Sequence, residues 1–500
     1  MTFLSTSLGQ YFPSSRKLVL LLIVVLGTTA AIGMLAAQQP LLAIGAVLAV
    51  PLAWVLMVRP DAATLVVIFL LFTNAPVVAY QFHGVPYLVS ASVPLLLIIP
   101  LTNYLILHRQ RLICPPVLML LVIYFMVQSV GALFAVEFNI AVASLVVYLT
   151  EGLGLYFLII NAVRTSDTLR RVVWALLLAG ALLGGLSLYQ QVTQTFSDNY
   201  GGFAQTTSAA FKTGEVQLEG DVEQPRLAGS IGEQNRYAQN LLMLVPLGLF
   251  QFWHEKSKRL RVVALIATSL NALGVALTFS RGAAVGFMLM IVLTFFLGYI
   301  KPRQMVVISL GLVLLMQAMP QYGLRLATLE APTRAASGGD ETDLANADDS
   351  TKSRLTEMYS AALIFLDYPL VGVGPGMARY YYREYADRVG LRVLNANRET
   401  HNLYLGIAAE TGVLGLLCVL AILFVTLRDL ARARRYWMES RPRLADTATG
   451  FMLAIISYLT TGIFLHFAYI RFFWVIMALA CAVSYIARAE AATEGINKQK

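Results

Sequence analysis

Charge is what this sequence is short of. Only 13% of its 500 residues are Asp, Glu, Lys or Arg, while 58% are hydrophobic and the mean hydropathy is +0.69. A soluble chain carries about a quarter charged residues, so a water-covered surface of ordinary composition is excluded. Cysteine is scarce too. Cys114, Cys418 and Cys481 lie in or beside apolar runs, at spacings that suit neither a metal site nor a disulfide framework. They read as small buried apolar residues. The stretches expected outside the bilayer hold no Asp-x-Asp, no His-x-x-His and no carboxylate cluster at ligand spacing. A divalent metal is therefore not expected, and no cofactor is implied. A Gly-x-Ser-x-Gly nucleophile elbow is missing as well.

What is present in quantity is apolar sequence in blocks long enough to span hydrocarbon. Spans are expected near 18–36, 40–57, 62–79, 88–106, 115–135, 141–162, 172–192, 237–253, 261–279, 282–300, 304–319, 402–427, 449–468 and 471–487. The fold class is thus all-α, a polytopic membrane protein of about 12–14 transmembrane helices. The first run, Leu18 to Leu35, follows Arg16 and Lys17 and could pass for a signal peptide. It is long, with no clean small-residue cleavage site after it, and reads as a retained anchor.

Basic residues crowd alternate connections: Arg59; Arg109 and Arg111; Arg164, Arg170 and Arg171; Lys256, Lys258, Arg259 and Arg261; Lys301 and Arg303; and six arginines between 428 and 443. The intervening short connections, such as Gln38–Pro40 and Val136–Asn139, hold none. This asymmetry places both termini in the cytoplasm. It also accounts for most of the net charge of +9, so nucleic acid is dropped as a partner.

The chain divides into four segments: N-terminal spans over 1–192, a first external loop with central spans over 193–319, a large external loop over 320–401, and C-terminal spans with a tail over 402–500. In the large loop, Arg354 to Asp367 reads as an amphipathic helix with Leu355, Met358, Leu363 and Leu366 available for one side. Pro369 ends it. Val371-Gly-Val-Gly-Pro-Gly376 then reads as a loop that lets backbone approach something closely, and a helical pattern resumes from Met377 to Arg388. Ala335 to Thr351 is small, polar and acidic and reads as mobile, its Asp340, Asp343, Asp348 and Asp349 as solvated charge.

Topology gives the external side no reason to hold cations. Yet Arg226, Arg236, Arg281, Arg325, Arg334, Arg354, Arg379, Arg383, Arg388, Arg392, Arg398 and Arg471 all fall there. Guanidinium is a planar fork that matches phosphate oxygens two at a time. Some of these arginines can simply pair with acids such as Glu384 and Asp387 or touch lipid headgroups. Arg281 stands out because it sits at the tip of a very tight connection between two apolar runs, Thr278-Phe-Ser-Arg-Gly-Ala283. His401, where the large loop meets the next span, is either a general base or a capping or headgroup residue. Together these residues suit a lipid-linked phosphate substrate whose tail lies in the membrane.

The pattern resembles a known family. His401-Asn402, nine further residues and Gly412-Val-Leu-Gly415 resemble the signature of bacterial O-antigen ligases and polymerases. Pro369-Leu-Val-Gly-Val-Gly-Pro-Gly376 is similar to the loop that precedes that histidine. Thr278-Phe-Ser-Arg281-Gly-Ala is similar to the family's S-R-G-A turn, and Arg226-Leu-Ala-Gly-Ser-Ile-Gly-Glu-Gln-Asn235 to its R-x-x-G…N segment. The matches keep family order across roughly residues 220–415.

The resemblance implies a GT-C-like glycosyltransferase in the bacterial inner membrane, with its active site on the periplasmic face. Such an enzyme moves a glycan from an undecaprenyl diphosphate carrier to an acceptor, inverting the anomeric carbon without a metal. By the resemblance, His401 is the base, Arg226 and Arg281 bind the diphosphate, Arg354 and Arg236 assist, and Asn402, Asn235, Gly374 and Gly376 support. The implied partners are the lipid-linked donor, a lipid A–core or glycan acceptor, and membrane lipids. A ligase is expected first, a polymerase of O-antigen or exopolysaccharide second. A transporter of the same lipid-linked glycan is the reading from another class. It calls for ionisable groups inside spans, where Glu151 is the main example.

Overall fold

The computed structural model describes residues 59–206, 226–318, 349–390, 393 and 397–498. The expected spans 18–36 and 40–57, most of the acidic stretch, and Arg325, Arg334 and Arg392 lie outside these. The chain divides into two compact units, 1–63 and 64–500, and the helical bundle with its charged end belongs to the second.

The first helices are α1 Pro60–Phe72, α2 Ala75–His83, α3 Tyr87–Leu107, α4 Pro116–Ala132, α5 Phe138–Ala162 and α6 Ser166–Thr193. Then come α7 Gln234–His254, α8 Lys258–Ala276, α9 Arg281–Phe296 and α10 Pro302–Ala318. The large loop contributes two helices, α11 Asp349–Asp367 and α12 Ala378–Val389, and the chain ends with α13 Leu403–Ser440, α14 Pro442–Thr461 and α15 Ile470–Lys498. Each expected span that falls on described residues coincides with a helix or, for 62–79, with the bent pair α1–α2. Seven helices among the described residues are long and apolar enough to cross a membrane, or eight if that pair counts as one span. The chain is a multi-pass, all-α membrane protein. Its only described strands, β1 Gln205–Thr206 and β2 Leu227–Gly229, form one short antiparallel pair.

Helices dominate because hydrocarbon offers the backbone no partner, so each N–H and C=O must be satisfied within its own segment. Large apolar side chains such as Ile266 on α8 and Leu417 and Phe424 on α13 are exposed, as expected of a surface that meets lipid and not water. The interior is built around α15, whose apolar window is 94% buried. Phe472, Phe473 and Trp474 pack there with Tyr148 and Tyr458.

Breaks in the helices have local causes. α1 and α2 meet at 57°, with Asn74 in the left-handed region at φ 62°. Its amide donates to Ser230 O at 2.7 Å and accepts from Arg471 Nη2 at 2.6 Å. Arg471 also reaches Glu151 Oε1 at 3.0 Å. Glu151, expected inside a span, and Arg471, expected outside, therefore neutralise each other.

The amphipathic reading of α11 needs correction. Leu366 is exposed, and Leu355, Met358 and Leu363 are only half-buried. The buried face carries Ser353, Thr356, Glu357, Ser360, Ala361 and Ile364. Hydrophobicity misleads here because the face that packs inward is polar: its Glu357 meets Arg398 and His401.

Candidate functional site

Three of the motifs are helix N-termini. The Glu233 carboxylate caps α7, accepting from the N–H groups of Asn235 at 3.0 Å and Arg236 at 2.8 Å. Ser280 Oγ caps α9 by accepting from Ala283 N–H. Asn402 Oδ1 caps α13, accepting from Tyr404 and Leu405 N–H at 3.0 and 2.9 Å. Each cap satisfies donors that the first helical turn leaves open. Each start also presents the positive end of a helix dipole.

These three starts converge on the turn between α14 and α15. Asn402 Nδ2 donates to Ile463 O at 3.0 Å. Gly282, beside Arg281, lies so close to Phe464 that an added Cβ would stand 3.0 Å from its ring. On α7, Gln239 Nε2 donates to Tyr458 O at 3.2 Å and to Thr461 Oγ1 at 2.8 Å, while Arg236 Nη1 reaches Gln239 Oε1 at 3.4 Å. Arg226 joins two motifs directly: Nε donates to Thr278 O at 2.9 Å and Nη2 to Asn235 Oδ1 at 3.2 Å. The expected residues Arg226, Asn235, Arg236, Arg281, His401 and Asn402 are thus drawn to one end of the bundle. Arg354 stands one turn before Glu357 on α11.

His401 takes φ 44°, a left-handed conformation that a side chain with a Cβ adopts only under constraint. Its Nδ1 stands 2.6 Å from Glu357 Oε2. The same nitrogen also faces Glu399 O at 3.2 Å. The Glu357 side chain has no exposed surface, and its other oxygen accepts from Arg398 Nε at 2.8 Å. Burial alone would raise its pKa. The charges and hydrogen bonds of His401 and Arg398 outweigh that and hold it below the usual carboxylate range. A second histidine, His466, lies edge-on to His401 at 5.7 Å between ring centroids. Burial, reinforced by Arg236, His401 and Arg379, pushes its pKa well below 6.5, so it stays neutral. Its Nδ1 and the Nη2 of Arg236 are buried without a hydrogen-bond partner among the described residues.

Gly374 and Gly376 lie in a loop whose backbone replaces part of a helix's own hydrogen-bond ladder. Gly412 breaks α13, with φ 63° and ψ −166°. In an intact helix, Val413 and Leu414 N–H would bond to Ala409 and Glu410 O. Here they donate to Pro369 O at 2.7 Å and Leu370 O at 3.3 Å, while Val373 and Gly374 N–H take the freed carbonyls, both at 3.0 Å. The glycine-rich loop is spliced into the helical ladder, and the loop motif and the histidine motif are two halves of one joint. The Glu410 carboxylate accepts from Gly376 N–H as well. The loop closely approaches α13 at Gly372, Gly131 of α4 at Gly374 and Ser144 of α5 at Gly376.

Some of the arginines expected outside are held in ion pairs. Arg388 bonds Asp367 and Glu384 at 3.1 and 2.9 Å, and Arg471 belongs to the Glu151 pair. Sequence reading misses Glu357 and His466. Glu357 lies on the same helical face as Ser353, Ser360 and Ile364, which is a readable signal. His466 sits in a short apolar turn with no pattern around it.

Residues 263–420 match a family model described as O-antigen ligase. The chain carries a domain of the O-antigen ligase and polymerase superfamily. The matched stretch contains Arg281, Arg354, Glu357, Arg379, Arg398, His401 and the Gly412 joint, while Arg226, Arg236 and His466 are contributed from outside it. No curated protein matches the chain.

Proposed function

We propose that this protein of the O-antigen ligase superfamily transfers a glycan from a polyprenyl diphosphate carrier to an acceptor hydroxyl at the periplasmic face of the inner membrane. The observation that carries this reading is the meeting of His401 with arginine-bearing helix starts at the 461–466 turn. Arg226, Arg281, Arg236 and Arg354 bind the diphosphate and stabilise it as the bond to the sugar breaks. His401 takes the proton of the acceptor hydroxyl through Nε2. The hydroxyl oxygen attacks the anomeric carbon opposite the departing diphosphate, so one displacement inverts that centre.

The acids nearest the site are already engaged by cations, Glu357 by His401 and Arg398, and Glu399 by Arg379 at 3.7 Å. They favour a reaction whose charge is handled by guanidinium groups and not by a divalent ion. A transport path would need ionisable groups free within spans. The Glu151–Arg471 pair offers none, which favours transfer.

Purified protein is to be given the lipid-linked donor with either lipid A–core or a second carrier-linked repeat unit, in excess EDTA. Product on lipid A–core identifies a ligase, the preferred assignment. Lengthening of the second substrate identifies a polymerase. Loss of transfer in EDTA that magnesium restores would overturn the metal-independent mechanism, and movement of donor across a bilayer without transfer would overturn the enzyme.

A further inference from the structure

We propose that Glu357 is a positioning residue for His401: it holds the Nδ1 edge of the imidazole so that Nε2 is the atom presented to the acceptor hydroxyl. This rests on the reading of His401 as the base. A carboxylate 2.6 Å from Nδ1 selects the tautomer with its proton there, because the other tautomer would set a lone pair against a negative charge. The Glu399 carbonyl on the same edge, at 3.2 Å, makes the same demand. A neutral imidazole with Nδ1 protonated has its basic lone pair on Nε2.

In the transfer step the acceptor O–H bond breaks and its proton moves to Nε2. The oxygen forms the new bond to the anomeric carbon as the old carbon–oxygen bond breaks, its electron pair leaving on the diphosphate. The Nδ1 proton stays in place. The imidazolium so formed faces Glu357, whose negative charge stabilises it.

Arg398 has a distinct part. It binds the other oxygen of the same carboxylate at 2.8 Å and keeps that carboxylate ionised in a site closed to water. It also withdraws part of the negative field that His401 feels. The charged and titratable groups that bear on His401 are Glu357 from α11, Arg398 and Glu399 from the segment before α13, and His466 from the turn before α15. Arg236 of α7 and Arg379 of α12 act on His466 in turn. Among these, Glu357 and Arg398 are the coupled pair of opposite sign, and this makes the proposal separable from a packing role.

The test is the pH–rate profile of Glu357→Gln and Arg398→Met beside wild type, with donor KM and thermal stability measured on the same preparations. Glu357→Gln removes the charge that favours the imidazolium. Its turnover should fall about 10²-fold, within the range seen when a group that orients a catalytic histidine is lost. Its acid limb should move to lower pH by roughly one unit, and donor KM should stay within about twofold. Arg398→Met should move the acid limb the opposite way, to higher pH, since the carboxylate is then less compensated. Should Glu357→Gln not fold, Glu357→Asp keeps the charge while drawing it away from Nδ1, and should show the same fall in turnover with a smaller shift of the limb. Unmoved limbs in the folded variants, with losses that track thermal stability alone, would reduce Glu357 to a structural ion pair. His401→Gln is run in parallel. If it is active, the base reading itself fails; if it is inactive while Glu357→Gln turns over like wild type, only the positioning role fails.

Discussion

The rings of His401 and His466 meet edge to face, 5.7 Å apart, and among the described residues only His401 of the two has a carboxylate beside it. His466 is instead held neutral by burial and by the nearby Arg236, His401 and Arg379. A histidine with a depressed folded pKa takes up its proton more readily once unfolded. Above its ordinary value of 6.5 both states are neutral and pH has no effect through this group. Below that value the unfolded state gains a proton and the folded state does not, at a cost of up to about 1.4 kcal/mol per pH unit. Thermal unfolding in detergent should therefore show stability falling from pH 7 to 5. In His466→Phe that fall should be shallower. An identical slope in both proteins would show that His466 titrates normally.

The splice at Gly412 makes a prediction about backbone. A Cβ there would lie 2.2 Å from Leu370 O, in a region of φ and ψ that only glycine occupies readily. Gly412→Ala should cost at least about 2–3 kcal/mol of stability and displace the His401 end of α13. Gly311 on α10 has open space around it, and alanine there should be neutral or stabilising by up to about 1 kcal/mol. Equal thermal stability of the two variants would mean that the loop is not locked into the helix.

Arg281 separates charge from geometry. Replacing it with Ala should nearly abolish transfer while the protein still inserts and folds. Lys should restore only part, because one ammonium cannot reproduce a two-pronged contact with diphosphate. Arg226 should behave alike, with an added loss of stability, because it also ties Thr278 to Asn235. Full activity of Arg281→Ala would relegate the residue to lipid contact.

Loss of His401 should lower turnover by about 10²–10⁴-fold, the usual contribution of a general base. Donor binding should survive, since arginines hold the diphosphate. Gln keeps a hydrogen bond but accepts no proton at neutral pH, so His401→Gln should be nearly as inactive as His401→Ala. A histidine that served only to shape the turn would tolerate Gln and would reveal itself in stability, not in turnover.

The spans are legible because hydrocarbon leaves the backbone a single solution, and each apolar run on described residues is a helix. Asn402 and Arg281 are legible because helix starts and tight turns have strict local chemistry. The splice is not. The glycines of Pro369–Gly376 announce a close approach, but their partner lies some forty residues on, and nothing local names it. Glu357 escapes notice for a related reason. Its neighbours Leu355 and Met358 draw attention to the wrong side of α11, because the buried side is held by charge pairing that depends on Arg398 and His401. The spacing of Ser353, Glu357, Ser360 and Ile364 marks a helical face, but nothing local says that Arg398 and His401 are what it meets.

The burial of α15 bears on how the protein is made. The described bundle is organised around a helix that is synthesised after the other described spans. Glu151 lies 320 residues before its partner Arg471. At about 5–20 residues per second, roughly 16–64 s separate the synthesis of the two. For that interval the Glu151 carboxyl group is without its counter-charge. A chain interrupted before α15 keeps Glu151 but lacks Arg471, and should be cleared by membrane proteases faster than one that carries both.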